Sequence, residues 1–546
     1  MSNFNAVSGG IVFALIILAS LVFRESKYSK SLDFLQQEKV YRALVFVFFA
    51  AAAFIRVYRF GSVPGGFNQD GAMAAVDALA LSNYGADRFG MSLPVHFTAW
   101  GYGQMSVLMS YLMVPFIKLF GLSAVTARLP ALIASLAGMA ALFSFVKGAF
   151  GKKQALVVLF LMAINPWHIM QSRWALDCNL FPHFIMISVY LLYKGLSKKL
   201  FLYLSMIGFA LCMYAYGIAF YTIPLMLLAL CLYLILKKLV RVRDALICAA
   251  VYLAFAWPIF AVMIINYFKL PTLRVLGFTM PYFSDSMRAK DLLFFSGNMP
   301  GQFAENISAF VRTVVLQRPD APWNTIDAFG AMYFVSLPFI LFGIYTQFFN
   351  KRHKSPGEVF LLIWFLTALF AGITVNSVNV NRINIIYYPL VILLGMGINA
   401  LLERIDVKRV ASAAVFGTYV VMFCMFSFSY FGNHNEILSR YFYDGFGDCV
   451  AYAENGDFDK IYITSNIQGP GWSHVSEIMT LFYAKTDARY YQSPDYKERY
   501  VYVDFWGQTD IYDEAAFIFK RGEEQYFSDS VFEVTMFKDY GVAVRK

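Results

Sequence analysis

Apolar stretches of about 20 residues recur along nearly the whole chain, and no other feature narrows its folding options so far. An α-helix of roughly 20 apolar residues is what crosses about 30 Å of hydrocarbon. Such segments lie at 8–23, 41–58, 125–147, 154–171, 179–193, 200–217, 221–236, 245–266, 328–349, 358–375, 383–402 and 410–431. They predict a polytopic α-helical membrane protein with about 12 transmembrane helices. Composition agrees: 59% of the 546 residues are hydrophobic and 15% are charged, whereas a soluble domain carries about a quarter charged residues. The six cysteines are scattered through apolar segments without the spacing of a disulfide framework or metal site. No positive residue precedes Ile11 and no small-residue cleavage site follows the first apolar run, so 8–23 is expected to stay as an anchor.

A further apolar run, 103–120, decides the topology, because every later span inverts if it crosses. The basic residues vote on it. Left out of the count, it puts the clusters within 24–42, 147–153, 194–199, 237–243, 351–354 and 404–409 on one side, which the positive-inside rule makes cytoplasmic. The net charge of +10 therefore reads as an orientation signal, with no nucleic-acid partner. The expected arrangement has 103–120 as an interfacial or re-entrant helix on the outer face, and an outside amino terminus. Residues 1–40 form an extra spanning helix and basic cytoplasmic loop. A membrane domain over 41–431 has outer loops at 59–124 and 267–327. From 432 to 546 the pattern changes to short β-like runs at Lys460–Thr464, Arg489–Gln492, Tyr500–Phe505, Phe517–Lys520 and Phe532–Phe537 around a helix-like stretch Ser473–Ala484, predicting a small soluble extracytoplasmic α/β domain.

No phosphate-binding glycine loop, zinc signature or nucleophile elbow is present, so chemistry falls to charged residues at the membrane edge. Three outer segments carry them: Arg56 to Asp70, Gly121 to Pro130, and Ser172 to Asp177. Arg56-x-x-Arg59 followed by Pro64 and Asp70 ahead of a small-residue helix opens the pattern. Phe120-Gly-Leu-Ser123 with Ala127-Arg128-Leu-Pro130, Asn165-Pro-Trp-His168, and Ser172-Arg173-x-x-x-Asp177 continue it. In order and spacing these resemble glycosyltransferase family 39, which includes protein O-mannosyltransferases and lipid A aminoarabinose transferases, over roughly 41–200. The resemblance implies a GT-C fold, a polyprenyl-phosphate sugar donor, and catalytic acids at Asp70, the base, and Asp177, the second acidic position. It departs where many members have Asp-Glu and this chain has Asp70-Gly71, and where a His-Pro-Pro motif is replaced by Pro94-Val-His96-Phe-Thr-Ala-Trp100.

The residues support the same chemistry by themselves. Displacing a carrier phosphate from an anomeric carbon calls for a base beside the attacking hydroxyl, for which Asp70 is the candidate. It also calls for positive charge at the leaving phosphate, for which Arg128, Arg173 and Arg382 are the candidates. Gln69, His96, Trp100 and Asn381 are candidate substrate contacts. One base without a second nucleophile points to inversion. No metal or other cofactor is expected, with a divalent cation shared by Asp70 and Asp177 as the alternative. The expected partners are the polyprenyl-phosphate sugar, a protein, lipid or cell-wall glycan acceptor, and the bilayer. Plainer roles compete: Asp70 as a helix cap, Asp177 paired with Arg173, Arg128 as a snorkelling anchor, Arg56 and Arg59 as span-end anchors, and His168 as an interfacial group. A transporter, flippase or polymerase of lipid-linked glycans is the alternative function, although the halves show no internal repeat.

Overall fold

In hydrocarbon an unpaired backbone amide is too costly to leave exposed, so apolar segments of this length close their hydrogen bonds internally as helices. The computed structural model describes residues 37–100, 103–284, 292–349, 354–405, 408–469, 472–505 and 515–546. The expected anchor 8–23 and the basic residues Arg24, Lys27, Lys30, Lys351 and Arg352 lie outside them. The helices are α1 Glu38–Val57, α2 Gln69–Tyr84, α3 Leu108–Phe120, α4 Ala124–Phe150, α5 Lys152–Ala163, α6 Pro166–Gln171, α7 Phe181–Gly195, α8 Lys199–Cys212, α9 Ala219–Leu236, α10 Val242–Phe268, α11 Met299–Phe310, α12 Leu337–Phe349, α13 Pro356–Thr374, α14 Tyr387–Leu402 and α15 Lys408–Phe431. Two short hairpins interrupt them, β1 Phe97–Thr98 with β2 Gln104–Met105 and β3 Leu273–Val275 with β4 Phe278–Met280. Among the described residues seven helices are long and apolar enough to cross a membrane, and α3, α8 and the segment Phe334–Phe349 are shorter apolar helices. α14 is the buried axis of the bundle. Its Gly397 and Gly343 of α12 leave no room for a Cβ against the facing backbone, so these two helices meet through small residues.

The basic clusters gather at one end. Glu38 at the start of α1 pairs with Lys152 just past α4 at 2.7 Å, Lys153 with Glu403 at 3.3 Å, and Lys199 with Asp244 at 2.7 Å. The Tyr193 hydroxyl donates to Gly148 O. α1 leaves this end and α4 returns to it, which fits the expected arrangement in which the intervening α3 does not cross. At about 1.5 Å per residue its 13 residues span only about two-thirds of the hydrocarbon core.

After α15 the chain continues through α16 Asn433–Tyr441 and α17 Phe446–Asn455 into a small domain. Its sheet has the order β6-β5-β7-β9-β8, built of β5 Lys460–Thr464, β6 Tyr500–Val503, β7 Ala515–Lys520, β8 Phe532–Phe537 and β9 Tyr540–Arg545. β5 runs parallel to β6 and β7, and β9 antiparallel to β7 and β8. Helix α18 Ser473–Tyr483 follows β5, and α19 Ala488–Tyr491 and α20 Pro494–Arg499 follow it. Two details differ from the sequence expectation. The run Arg489–Gln492 is helical rather than extended, because the Asp487 carboxylate accepts from Arg489 N and starts a turn. β9 is an additional strand, joined to β8 by the two-residue turn Lys538–Asp539 with Lys538 at φ 59°.

Candidate active site

At the end of the bundle opposite the basic clusters, the chain between α1 and α2 runs without regular structure, so its carbonyls need donors from elsewhere. Two buried arginines supply them. Arg173 donates to the carbonyls of Ile55 and Arg56, which end α1, and to those of Tyr58, Arg59 and Val63. Arg128, fully buried on α4, donates to Phe60, Gly61, Pro64 and Gly66. A planar fork of donors suits this clustering of oxygens, and the positive charge also complements the carboxyl end of α1. The loop is completed from the C-terminal part. Phe67 N donates to Phe442 O at 2.7 Å, and the Phe67 ring stacks on Phe482 of α18 at 4.4 Å. Gly66 sits at φ 71°, and a Cβ there would enter the Phe442 carbonyl.

This scaffold sets Asp70 in the first turn of α2, where the unpaired amides favour a carboxylate. Trp100 Nε1 donates to Asp70 Oδ1 at 2.6 Å. Gly71 lets the helix start press against the 172–178 turn, since a Cβ there would lie 2.7 Å from Ala175 O. Glycine at this place, where the resembled family often has glutamate, fits this close approach. Gln69 Oε1 accepts from the Tyr443 hydroxyl at 3.3 Å; burial pushes that hydroxyl up in pKa, and the nearby Asp70 charge adds to it.

Asp177 opens a 3₁₀ turn in the same region, its Oδ1 accepting from Cys178 N at 2.7 Å. The Cys178 carbonyl accepts from Asn384 Nδ2, which joins this turn to the one carrying Asn381 and Arg382. That second turn is held by Asp320, whose Oδ2 accepts from Val380 N at 2.5 Å. Arg382 donates to Asn376 O and lines an apolar cavity of about 420 Å³ together with His96, Gln104, Ser106, Tyr221 and Phe268. The Asn381 side-chain oxygen is buried without a hydrogen-bond partner among the described residues.

The hairpin β1–β2 lies between acid and cavity: Trp100 holds Asp70, while His96, Gln104 and Ser106 of the same segment face the cavity. It is anchored by a pair that sequence reading missed. Buried Asp77 on α2 bonds Arg88 through its side chain at 2.5 Å, and Arg88 Nη2 donates to Thr98 O at 2.9 Å. Burial pushes the Asp77 carboxyl up to about 7 against the pull of Arg88. Arg88 lies beyond the end of α2 at Tyr84, in irregular chain, so helical spacing gave no signal for the pair.

The three arginines expected to meet a phosphate are therefore separated. Arg382 borders the cavity, whereas Arg128 and Arg173 spend their Nη donors on backbone carbonyls. Arg56 is not a surface anchor. It is fully buried, its Nη2 lying 2.8 Å from His168 Nδ1 and donating to Met162 O, and His168 is itself buried beside Tyr388 rather than interfacial. Arg59 is exposed and reaches Phe431 O. Among the described residues no three His, Cys, Asp or Glu side chains group as metal ligands.

Residues 105–265 match the family model described as dolichyl-phosphate-mannose-protein mannosyltransferase. That stretch holds Arg128, Arg173 and Asp177, and Asp70 precedes it. Among solved structures, ArnT from Cupriavidus metallidurans bound to undecaprenyl phosphate matches with a TM-score of 0.57 at 12% identity, over 92% of this chain and 98% of that one. The apo state of ArnT from the same organism gives 0.55 at 12% identity, over 91% and 97%. The fold is thus the GT-C type, as the sequence resemblance implied. No curated protein sequence matches the chain significantly.

Proposed function

We infer that this chain, of the GT-C membrane glycosyltransferase type, moves a sugar from a polyprenyl-phosphate-linked donor, mannose or a similar hexose, to an acceptor hydroxyl on the extracytoplasmic face of the plasma membrane. The observation that carries the reading is the carboxylate of Asp70, held by an indole N–H, beside a hairpin that also walls an apolar cavity with a guanidinium on its border. The cavity suits the first isoprene units of a lipid carrier, and Arg382 suits its phosphate, because a guanidinium stays charged and near lipid is weakly screened. Support for the side of the membrane comes from the basic clusters, which crowd the opposite end. Support for the donor class comes from the family match and from the ArnT structure solved with undecaprenyl phosphate.

The reaction is a single displacement. Asp70 takes the proton of the acceptor hydroxyl, the acceptor oxygen bonds to the anomeric carbon, and the bond from that carbon to the phosphate oxygen breaks. The polyprenyl phosphate leaves with the electron pair, and the configuration inverts. Asp177 bounds the same loop cluster and orients it. Arg128 and Arg173 act by fixing the loop that presents Asp70 instead of binding the phosphate directly. No metal or other cofactor is required. The purified protein in lipid nanodiscs, given polyprenyl-phosphate mannose and a cell-envelope extract as acceptor, should form a glycosylated product that survives a chelator and disappears in Asp70→Asn. Undiminished transfer by that variant would remove the base.

A further inference from the structure

The C-terminal domain turns one particular edge of its sheet toward Asp70. β5, β6 and β7 are parallel, and in such sheets ligands settle beyond the carboxyl ends of the strands, where the departing loops open a crevice. Just past β5, Asn466 Nδ2 donates to Asp504 Oδ1, just past β6, at 3.1 Å. The Thr464 hydroxyl donates to Glu523 at 2.9 Å on the same edge. The chain leaving β5 leads to Trp472 at the start of α18, and α18 packs on α2, which begins beside Asp70. The Trp472 ring lies 6.0 Å from that of Trp100 at 53°, and Trp100 holds Asp70.

Trp472 remains 45% exposed while Trp100 is 8% exposed. The two indoles form an open corner, not a sealed stack. A large aromatic face left in water beside a candidate base is surface that a ligand gains by covering. The companion groups on this edge are an amide and a carboxylate, which serve hydroxyl groups in both donor and acceptor roles. An exposed aromatic face on the chain that leaves this polar strand edge matches a pyranose ring, whose C–H face is apolar and whose periphery is polar. An extended peptide would instead pair with an edge strand, and the edges of this sheet are β6 and β8, not the strand ends at Trp472.

We propose that Trp472 and Trp100 form the acceptor subsite and that the acceptor is a carbohydrate, its ring stacked on Trp472 and one hydroxyl delivered to Asp70. This rests on the transfer reading above, and the bonds made and broken are those already given. The test measures binding by full-length protein in nanodiscs to manno-, gluco- and galacto-oligosaccharides and to a serine/threonine-rich peptide, beside polyprenyl-phosphate mannose, in the unaltered protein, Trp472→Ala and Trp472→Tyr. The expected result is binding of at least one oligosaccharide series, weakened about tenfold or more in Trp472→Ala, largely restored in Trp472→Tyr, with donor binding equal in all three. No oligosaccharide binding by the unaltered protein, binding of the peptide alone, or unchanged oligosaccharide binding in Trp472→Ala each overturns the proposal. Failure of the unaltered protein to bind polyprenyl-phosphate mannose strikes the transfer reading, while the oligosaccharide result still judges the subsite.

Discussion

The indole N–H of Trp100 and the Oδ1 of Asp70 are 2.6 Å apart, although thirty residues separate them in the chain. Indole is only a donor, so this bond favours the ionised carboxylate and fixes its rotamer. Trp100→Phe keeps the ring and removes the donor. It is expected to lower the turnover of sugar transfer by roughly tenfold to a hundredfold, in line with about 1.5–3 kcal/mol for a hydrogen bond to a charged group, with donor affinity little changed. Steady-state kinetics with polyprenyl-phosphate mannose check this, and an effect confined to the KM for the donor would mean that Trp100 contacts the donor instead of holding Asp70.

Arg173 and Arg128 bridge carbonyls that no lysine could reach together. Arg173→Lys is expected to destabilise the protein by about 2–4 kcal/mol, because several buried carbonyls lose their donors. Thermal unfolding in detergent should show a lower midpoint and a matching loss of activity. An unchanged midpoint together with lost donor affinity would instead assign the guanidinium to the phosphate.

Gly71 cannot accept the glutamate that many family members carry at this place, since its first carbon would lie 2.7 Å from Ala175 O. Gly71→Glu should therefore reduce both stability and transfer, with overpacking of this kind costing about 1–3 kcal/mol. A variant as stable and active as the parent would show that the α2 start has room the geometry denies.

Membrane orientation is open to labelling. Cysteine placed at Trp472 should react with an impermeant maleimide on intact cells. Cysteine placed at Lys153, in the cluster joined by Glu38 and Glu403, should react only after permeabilisation. Reaction of both from outside would break the link between positive charge and sidedness.

Much of this architecture is written in hydropathy. Each predicted span from 41–58 onward contains a helix, although 154–171 breaks after Ala163, 200–217 ends its helix at Cys212 and 328–349 becomes helical only from Phe334. The distribution of lysine and arginine is the argument that keeps 103–120 from crossing. Asp70 stood out by its place in the family-like pattern, and the competing reading of it as a helix cap meets a helix whose cap position is Asn68, with Asp70 inside the first turn. What stayed hidden shares one cause: partners far apart in sequence and chosen by backbone geometry. Arg173 and Arg128 serve carbonyls, which have no residue signature. Arg56 reaches His168 across more than a hundred residues. Tyr443 and Trp472 join the site only because the last domain folds back on α2. The strand Tyr540–Arg545 escaped notice since its pairing depends on a two-residue turn at Lys538–Asp539 rather than on a long alternating run.

The stacking of Phe67 on Phe482, with the bond from Phe67 N to Phe442 O, has a temporal meaning. The ribosome delivers the acid's loop early and its last supports hundreds of residues later. Through most of synthesis the loop ahead of Asp70 therefore lacks two of its packing partners, and its contacts are complete only when the final domain has folded back onto it.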